Sequence, residues 1–329
     1  MTSLQLADRY GRVATDLRVS LTDRCNLRCA YCMPADGLPW LPAGTVLTDD
    51  EICRLIGIAV TMLGVREVRF TGGEPLLRPG LEEIVRTTSA LDVEVSLTTN
   101  GIGLVKRAQQ LRDAGLRRVN VSLDTLQAER FLAIARRGRL DDVLAGLTAA
   151  REAGLSPVKV NAVLLRDVNG DEAADLLSFC LNHGYELRFI EQMPLDPMHS
   201  WDRGTMVTAA EILDQLRPRW SLTPQDRLDG APAQTWLIDG GPHRVGVVAS
   251  VTEPFCSSCT RTRLTADGQV RSCLFSTEES DLRTAMRDGA SDDDLAHRWQ
   301  VAMFGKPAAH GIDDADFHQP ERAMSAIGG

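Results

Sequence analysis

The chain has 329 residues, 43% hydrophobic and 25% charged, which excludes a disordered or fibrous protein and leaves room for one large domain or two ordinary ones. Lys and Arg number 36 against 45 Asp and Glu, a net charge of −9, so no general affinity for nucleic acid or anionic membrane follows. Any anionic ligand must be met by a local cluster of cations. The start of the chain, Met1 to Arg18, is polar, and the near-apolar stretch from Ile52 to Val65 is interrupted by Arg54 and too short to cross a bilayer. A cytoplasmic protein is expected.

In chain order, β-rich apolar runs occur at Leu17–Thr22, Val65–Thr71, Val93–Thr98, Arg118–Ser122, Val158–Val163 and Glu186–Ile190. Helical patterns lie between them. Thr48 and Glu51 form a capping box ahead of Ile52, Leu55, Ile56, Ala59, Met62 and Leu63 at helical period, and Ala173, Leu176, Leu177, Cys180 and Leu181 make a similar stripe. Strands alternating with helices imply an α/β protein with a parallel sheet, and six units suggest an incomplete TIM-like (β/α)6 barrel with one open side. From about Met193 the rhythm changes: Pro194, Pro197, Pro218, Pro224, Pro232, Pro242 and Pro254 punctuate short pieces. Arg261–Thr265 and Gln269–Cys273 flank an Asp267-Gly268 hairpin turn. Two regions are expected, a barrel over residues 1–193 and a smaller α+β region over residues 194–329 that closes the open side. Asp292–Asp294 reads as a solvated acidic face, and Arg117-Arg118 and Arg136-Arg137-x-Arg139 as solvated cations.

Six of the eight cysteines fall into two triplets, Cys25-x3-Cys29-x2-Cys32 and Cys256-x2-Cys259-x13-Cys273. A chance CxxxCxxC is expected roughly 0.005 times in such a chain, so coincidence does not explain the first. Thiolates suit zinc or iron–sulfur clusters, and either wants four ligands or four satisfied irons. Three cysteines leave one position for a group that is not protein. The first triplet follows directly after the first predicted strand, at the C-terminal mouth where such barrels put their chemistry. Zinc completed by a distant histidine is the alternative there, although no His lies between Met1 and Asn182. For the second triplet, two knuckles at a hairpin also look like half a zinc ribbon. Cys53 and Cys180 sit in or beside apolar helical stripes and read as core.

The run from Asp16 to Met33, DLRVSLTDRCNLRCAYCM, resembles the radical S-adenosylmethionine (SAM) signature in the form found in the GTP 3′,8-cyclase family. The resemblance continues through Thr71-Gly-Gly-Glu-Pro-Leu-Leu-Arg78, Thr98-Thr-Asn-Gly101, Val119-Asn-Val-Ser-Leu-Asp124, Val158-Lys-Val-Asn161 and Arg188-Phe-Ile-Glu-Gln-Met193. It resumes in Phe255-Cys-Ser-Ser-Cys-Thr-Arg-Thr-Arg-Leu-Thr265, Cys273-Leu274 and the terminal Gly328-Gly329, with Thr260 standing where Asn is expected. It implies a radical SAM partial barrel and two [4Fe–4S] clusters, the first on Cys25, Cys29 and Cys32 and the second on Cys256, Cys259 and Cys273. It further implies that SAM, cleaved at the first cluster, yields a 5′-deoxyadenosyl radical that takes hydrogen from C3′ of GTP. The carbon radical then attacks C8 of guanine, and the 3′,8-cyclo nucleotide enters molybdenum cofactor biosynthesis. By the same resemblance cyclic pyranopterin monophosphate synthase acts downstream, an electron donor is required, and a homodimer is expected.

By the same resemblance Tyr31, Gly73, Ser122 and Met193 meet SAM, with Asn100 a further candidate. Gly72-Gly73 would let backbone approach the SAM amino group, an ordinary strand-to-helix turn being the alternative. Pro75 would fix that loop, with Glu74 accepting from the SAM ammonium or facing water. Arg18, Arg69, Lys159, Arg188, Arg261 and Arg263, with Thr99, are matched to GTP, whose charge of about −4 demands cations, each charge-assisted bond worth about 1.5–3 kcal/mol. Cations in or beside barrel strands make sense only if they point into a polar lumen. Arg18, Arg261 and Arg263 are the expected catalytic cations, together with Gly328 and Gly329, because the family carries its C-terminal tail into the active site. The competing readings are a radical SAM enzyme acting on a peptide or another small substrate, with the second triplet holding an auxiliary cluster, and a zinc-binding adaptor. Removing Gly328-Gly329 should sharply reduce cyclised nucleotide measured by chromatography, and unchanged turnover would refute the tail's role.

Overall fold

The computed structural model describes residues 5–227 and 230–327. Its barrel strands are β1 (Asp16–Ser20), β2 (Glu67–Thr71), β3 (Glu94–Thr99), β4 (Arg118–Ser122), β5 (Val158–Val163) and β6 (Glu186–Ile190), all parallel and paired in chain order. Helices α1 (Asp49–Thr61), α2 (Leu81–Ser89), α3 (Leu104–Asp113), α4 (Ala128–Ala135), α5 (Leu140–Glu152) and α6 (Ala173–His183) lie between them. The capping box ahead of α1 is present: the Thr48 hydroxyl accepts from Glu51 N at 3.2 Å, and the Glu51 carboxylate accepts from Thr48 N at 2.8 Å. This is the expected incomplete (β/α)6 barrel.

The later region does not build a sheet of its own. It contributes α7 (Ala209–Leu216), then the strands β7 (Leu222–Pro224), β8 (Gln234–Ile238), β9 (Arg244–Val248), β10 (Arg261–Leu264), β11 (Gln269–Arg271) and β12 (Ser280–Asp281), and finally α8 (Arg283–Arg287), α9 (Asp292–Phe304) and α10 (Met324–Ile327). β9 adds parallel to β6, and β10 adds parallel to β1, so one sheet runs β12-β11-β10-β1-β2-β3-β4-β5-β6-β9-β8-β7. Both open edges of the barrel carry unpaired backbone groups, and each is satisfied by a strand from the same later segment. The predicted Asp267-Gly268 hairpin is present as β10 and β11. Asp292–Asp294 is exposed as predicted and also opens α9, with Ser291 as its cap.

Apolar and polar side chains alternate along the barrel strands. Val19, Val68, Phe70, Leu97, Val121, Val160 and Phe189 face the helices and are fully buried. Arg18, Arg69, Ser96, Asn120, Asn161 and Arg188 take the alternate positions and face the lumen. Parallel strands covered on both faces are ordinarily apolar throughout. A polar inner face therefore marks a lumen built to hold something polar. At the N-terminal end of the barrel Arg118 bridges Glu67 at 2.9 Å and Glu94 at 3.0 Å, and Lys159 pairs with Glu186 at 2.7 Å. Arg118 is thus a half-buried structural cation, whereas its neighbour Arg117 is solvated as expected. Arg136, which donates to Met33 O at 3.0 Å, departs from the solvated reading in the same way.

Gly72 and Gly73 follow β2, where the chain presses on the loop after β1. Gly73 N donates to Thr22 O at 2.7 Å, and Glu74 N to Arg24 O at 2.8 Å. A Cβ on Gly73 would lie 2.2 Å from Arg24 O, and Gly72 holds φ +136° with its own Cβ position 2.5 Å from Thr22 O. The glycine pair thus admits the backbone of the cysteine loop, which it holds in place. Gly73→Ala should lower the urea unfolding free energy by about 1–3 kcal/mol. Gly57→Ala, on open surface inside α1, should instead raise it by about 0.5–1 kcal/mol.

Candidate functional site

The loop after β1 carries Cys25, Cys29 and Cys32. Cys32 N and Met33 N both donate to Cys29 O, at 2.9 and 3.0 Å, a tight turn that brings the three thiols together. Arg28 N and Ala30 N donate to Ala135 O and Ile134 O and strap the loop to the end of α4. Burial first, and then neighbouring thiols and Asp124, push Cys29 well above the usual thiol range, and Cys32 is pushed up to about 12. Three thiols held this way are costly to ionise unless a cationic group joins them.

Cys256, Cys259 and Cys273 sit around the start of β10 and the end of β11, across the same cavity, whose volume is about 340 Å³. His310 is the histidine that lines the cavity, and both its ring nitrogens are engaged: Nε2 donates to Ser250 O at 3.0 Å, and Nδ1 accepts from Ile312 N at 3.1 Å. Among the described residues no group of three Cys, His, Asp or Glu is arranged to hold a single metal ion. Among the described residues the cavity lining offers three thiols to each site, and His310 is already engaged elsewhere. That donor set fits a cluster with one open position better than a closed zinc site.

Between the triplets the wall is cationic. Arg18, Arg69, Arg188, Arg261 and Arg263 line the cavity, and Arg18 stands in register with both Arg69 and Arg263 on its neighbouring strands. Like charges side by side on adjacent strands repel. Asp16 relieves one of them, taking Arg18 Nε at 3.1 Å and Nη2 at 2.8 Å, and Ser96 Oγ accepts from Arg69 Nε at 3.0 Å. Burial, with Arg18 and Arg261 beside it, still brings Arg263 down to about 9, and burial with Arg18 brings Arg188 to about 10. Such a wall gains most from a multiply charged anion.

Tyr31, Gly73, Thr99, Ser122 and Met193 also line this cavity. Tyr31 Oη donates to Asp124 Oδ2 at 2.9 Å, whose other oxygen accepts from Val163 N at 2.8 Å. Burial raises Asp124 to about 6. Thr99 donates its hydroxyl to Glu74 at 2.7 Å, so that group is already engaged. Asn100 Nδ2 reaches Asn26 Oδ1 at 2.7 Å and Cys25 Sγ at 3.9 Å. Lys159 is not brought to the cavity; it lies in the salt-bridge layer beneath, with Glu186. Gly328 and Gly329 lie outside the described residues, although Met324 and Ser325 reach the cavity wall and the backbone N–H of Ser325 donates to Cys32. Sequence reasoning missed Phe255, whose ring lies 4.8 Å from the Arg261 guanidinium carbon, and His310, neither of which carries a spacing signal.

Residues 19–180 match the Radical SAM superfamily and residues 185–312 match Molybdenum Cofactor Synthesis C. A GTP 3′,8-cyclase from Streptomyces coelicolor is 64% identical over 98% of this chain and 96% of its own length. A GTP 3′,8-cyclase 2 from Mycobacterium tuberculosis is 59% identical over 100% of this chain and 93% of its own length. The chain belongs to the GTP 3′,8-cyclase family of radical SAM enzymes. Solved structures sharing the fold include Streptococcus suis SuiB bound to S-adenosylmethionine, at 14% identity and TM-score 0.57 over 87% of this chain and 68% of that one. Native anSMEcpe with bound AdoMet is 16% identical, with TM-score 0.58 over 88% and 84%. As a GTP 3′,8-cyclase family member the protein uses SAM and a [4Fe–4S] cluster. Among the described residues no helix is long and apolar enough to cross a membrane.

One acid in this cyclase scaffold sets a pH dependence. Glu74 is buried and accepts from Leu76 N, Thr99 Oγ1 and Asn100 N at 2.9, 2.7 and 2.7 Å, yet burial outweighs these bonds and raises it from 4.5 to about 7. The folded chain therefore holds this proton where the unfolded chain has released it. The contribution to stability is full below about pH 4.5 and is lost as pH rises to about 7, a loss of about 3 kcal/mol. Glu74→Gln should flatten that interval in anaerobic urea unfolding measured against pH.

Proposed function

We propose that the protein converts GTP to (8S)-3′,8-cyclo-7,8-dihydroguanosine 5′-triphosphate, the first step of molybdenum cofactor biosynthesis. The observation that carries this reading is the arginine wall, Arg18, Arg69, Arg188, Arg261 and Arg263, standing between two three-thiol sites in one cavity. A peptide substrate would leave those charges uncompensated. A nucleoside triphosphate answers them, with its base toward one triplet and its ribose toward the other.

In this reading Cys25, Cys29 and Cys32 would hold the first cluster, and Cys256, Cys259 and Cys273 would hold a second that would bind the guanine base. SAM bound at the first cluster supplies the 5′-deoxyadenosyl radical. The protein positions and dries the reactants. Tyr31, fixed by Asp124, joins Gly73, Ser122 and Met193 around SAM, and the arginines fix the triphosphate and base, with Thr99 at the wall. Lys159 acts from the layer below, where its charge bears on Arg188. Arg18, Arg261, Arg263 and the Gly328-Gly329 tail act closest to the reacting nucleotide. Residues 1–193 form the SAM-cleaving half and residues 194–329 the substrate-closing half of a cytoplasmic homodimer. It draws on an electron donor and passes its product to cyclic pyranopterin monophosphate synthase.

Anaerobically reconstituted protein should bind about eight irons per chain. With reductant, SAM and GTP it should form 5′-deoxyadenosine and the cyclised nucleotide together; deoxyadenosine without loss of GTP would overturn the assignment. Arg188→Ala should weaken GTP binding about 10- to 100-fold in equilibrium dialysis, the cost of one buried charge-assisted contact, while leaving SAM binding intact.

A further inference from the structure

Behind the second triplet stands a cation that the substrate reading does not use. Lys306 is 3% exposed and does not line the cavity. Its Nζ donates to Cys259 Sγ at 3.2 Å, to Cys259 O at 3.3 Å and to Arg261 O at 2.8 Å. Cys259 Sγ also receives Arg261 Nη2 at 3.2 Å and Nε at 3.4 Å, so two cations converge on this one sulfur. Arg261 lines the cavity, and Lys306 does not.

The chain delivers Lys306 there by packing. α9 ends two residues earlier, and Lys306 N donates to Met303 O at 3.0 Å. Trp299, fully buried on α9, donates from Nε1 to Thr262 Oγ1 at 2.9 Å and pins the helix against β10. The following residues are strapped to the other end of the cysteine loop. Arg12 donates from Nη1 to Cys256 O at 2.7 Å and Ala308 O at 2.9 Å, and from Nη2 to Pro307 O at 2.6 Å. Residues 306–308 therefore clamp the Cys256–Cys259 turn from outside.

We infer that Lys306 is a positioning residue for the second cluster, donating a charge-assisted hydrogen bond to the Cys259 thiolate that makes the cluster easier to reduce and slower to lose iron. The inference rests on the reading that Cys256, Cys259 and Cys273 hold a cluster. Hydrogen bonds to ligand sulfurs and nearby net charge are the protein's levers on cluster potential, and outer-shell partners of metal ligands typically carry 10- to 100-fold in retention. Lys306 touches neither the cavity nor a reactant, so its effect passes through Cys259.

The test uses the reconstituted full chain with Lys306→Met, Lys306→Gln and Lys306→Arg, followed by EPR-monitored redox titration and iron release to a chelator. Lys306→Met should shift the signal that SAM does not perturb to lower potential, leave the SAM-sensitive signal in place, and speed iron loss from that site by about tenfold or more. Lys306→Gln, which keeps a donor without the charge, should shift it less, and Lys306→Arg should restore it. An unmoved potential and unchanged iron release in Met and Gln variants that retain about eight irons overturn the role of Lys306. A wild-type chain holding about four irons, all SAM-sensitive, overturns the second cluster itself and the inference with it. If Lys306→Met does not fold, Lys306→Gln decides between the two outcomes.

Discussion

Five arginines, three of them buried, lining the cavity of a parallel barrel are the constraint on which the rest of the molecule depends. Arg18, Arg69 and Arg263 are in register on adjacent strands; Asp16 takes Arg18, and Ser96 accepts from Arg69. A barrel filled in the ordinary way would stack branched aliphatic residues in its lumen. Here the large apolar residues, Val19, Phe70, Leu97, Val121 and Phe189 among them, lie on the face under the helices. Stability comes from the outer layer, which leaves the inner layer for recognition.

The first cysteine loop is placed by backbone contacts and the second by the side chains of Arg12 and Lys306. The first is pressed between the Gly72-Gly73 turn and the end of α4, and the second between the strap of residues 306–308 and the start of β10. Glu191 does the equivalent work at the far edge. Its carboxylate accepts from Ala209 N, Val251 N and Thr252 N, each at 2.9 Å, and ties the end of β6 to the segment that follows β9. Two reactive sites brought to one cavity from distant parts of the chain need such fixed contacts, because small displacements at reacting atoms are costly in rate.

The barrel was legible because its signals are local. Period-two strands, the Thr48–Glu51 box and the Asp267-Gly268 turn each depend on neighbouring residues. The polar inner face was legible in part, since Arg18, Arg69 and Arg188 broke otherwise apolar runs. What misled was reading charge without partners. Arg118 and Lys159 look alike on paper, a cation at or near the start of a strand, and both end in ion pairs at the closed end of the barrel. Gly72-Gly73 pointed to close approach, but the structure supplies a different partner, the backbone of the cysteine loop itself.

The sequence by itself determined the two cysteine triplets and the strand–helix alternation, because spacing and periodicity are properties of adjacent residues, and its motifs carried the resemblance to the family. Only the tertiary structure decided that β9 and β10, from one late segment, satisfy opposite edges of the barrel and so bring Cys256, Cys259 and Cys273 across from the first triplet. It alone decided that Lys306, with no motif around it, lies against Cys259 while Lys159 falls away from the cavity. Strand pairing between distant segments and the burial of single charges depend on contacts across hundreds of residues, and no local pattern carries that information.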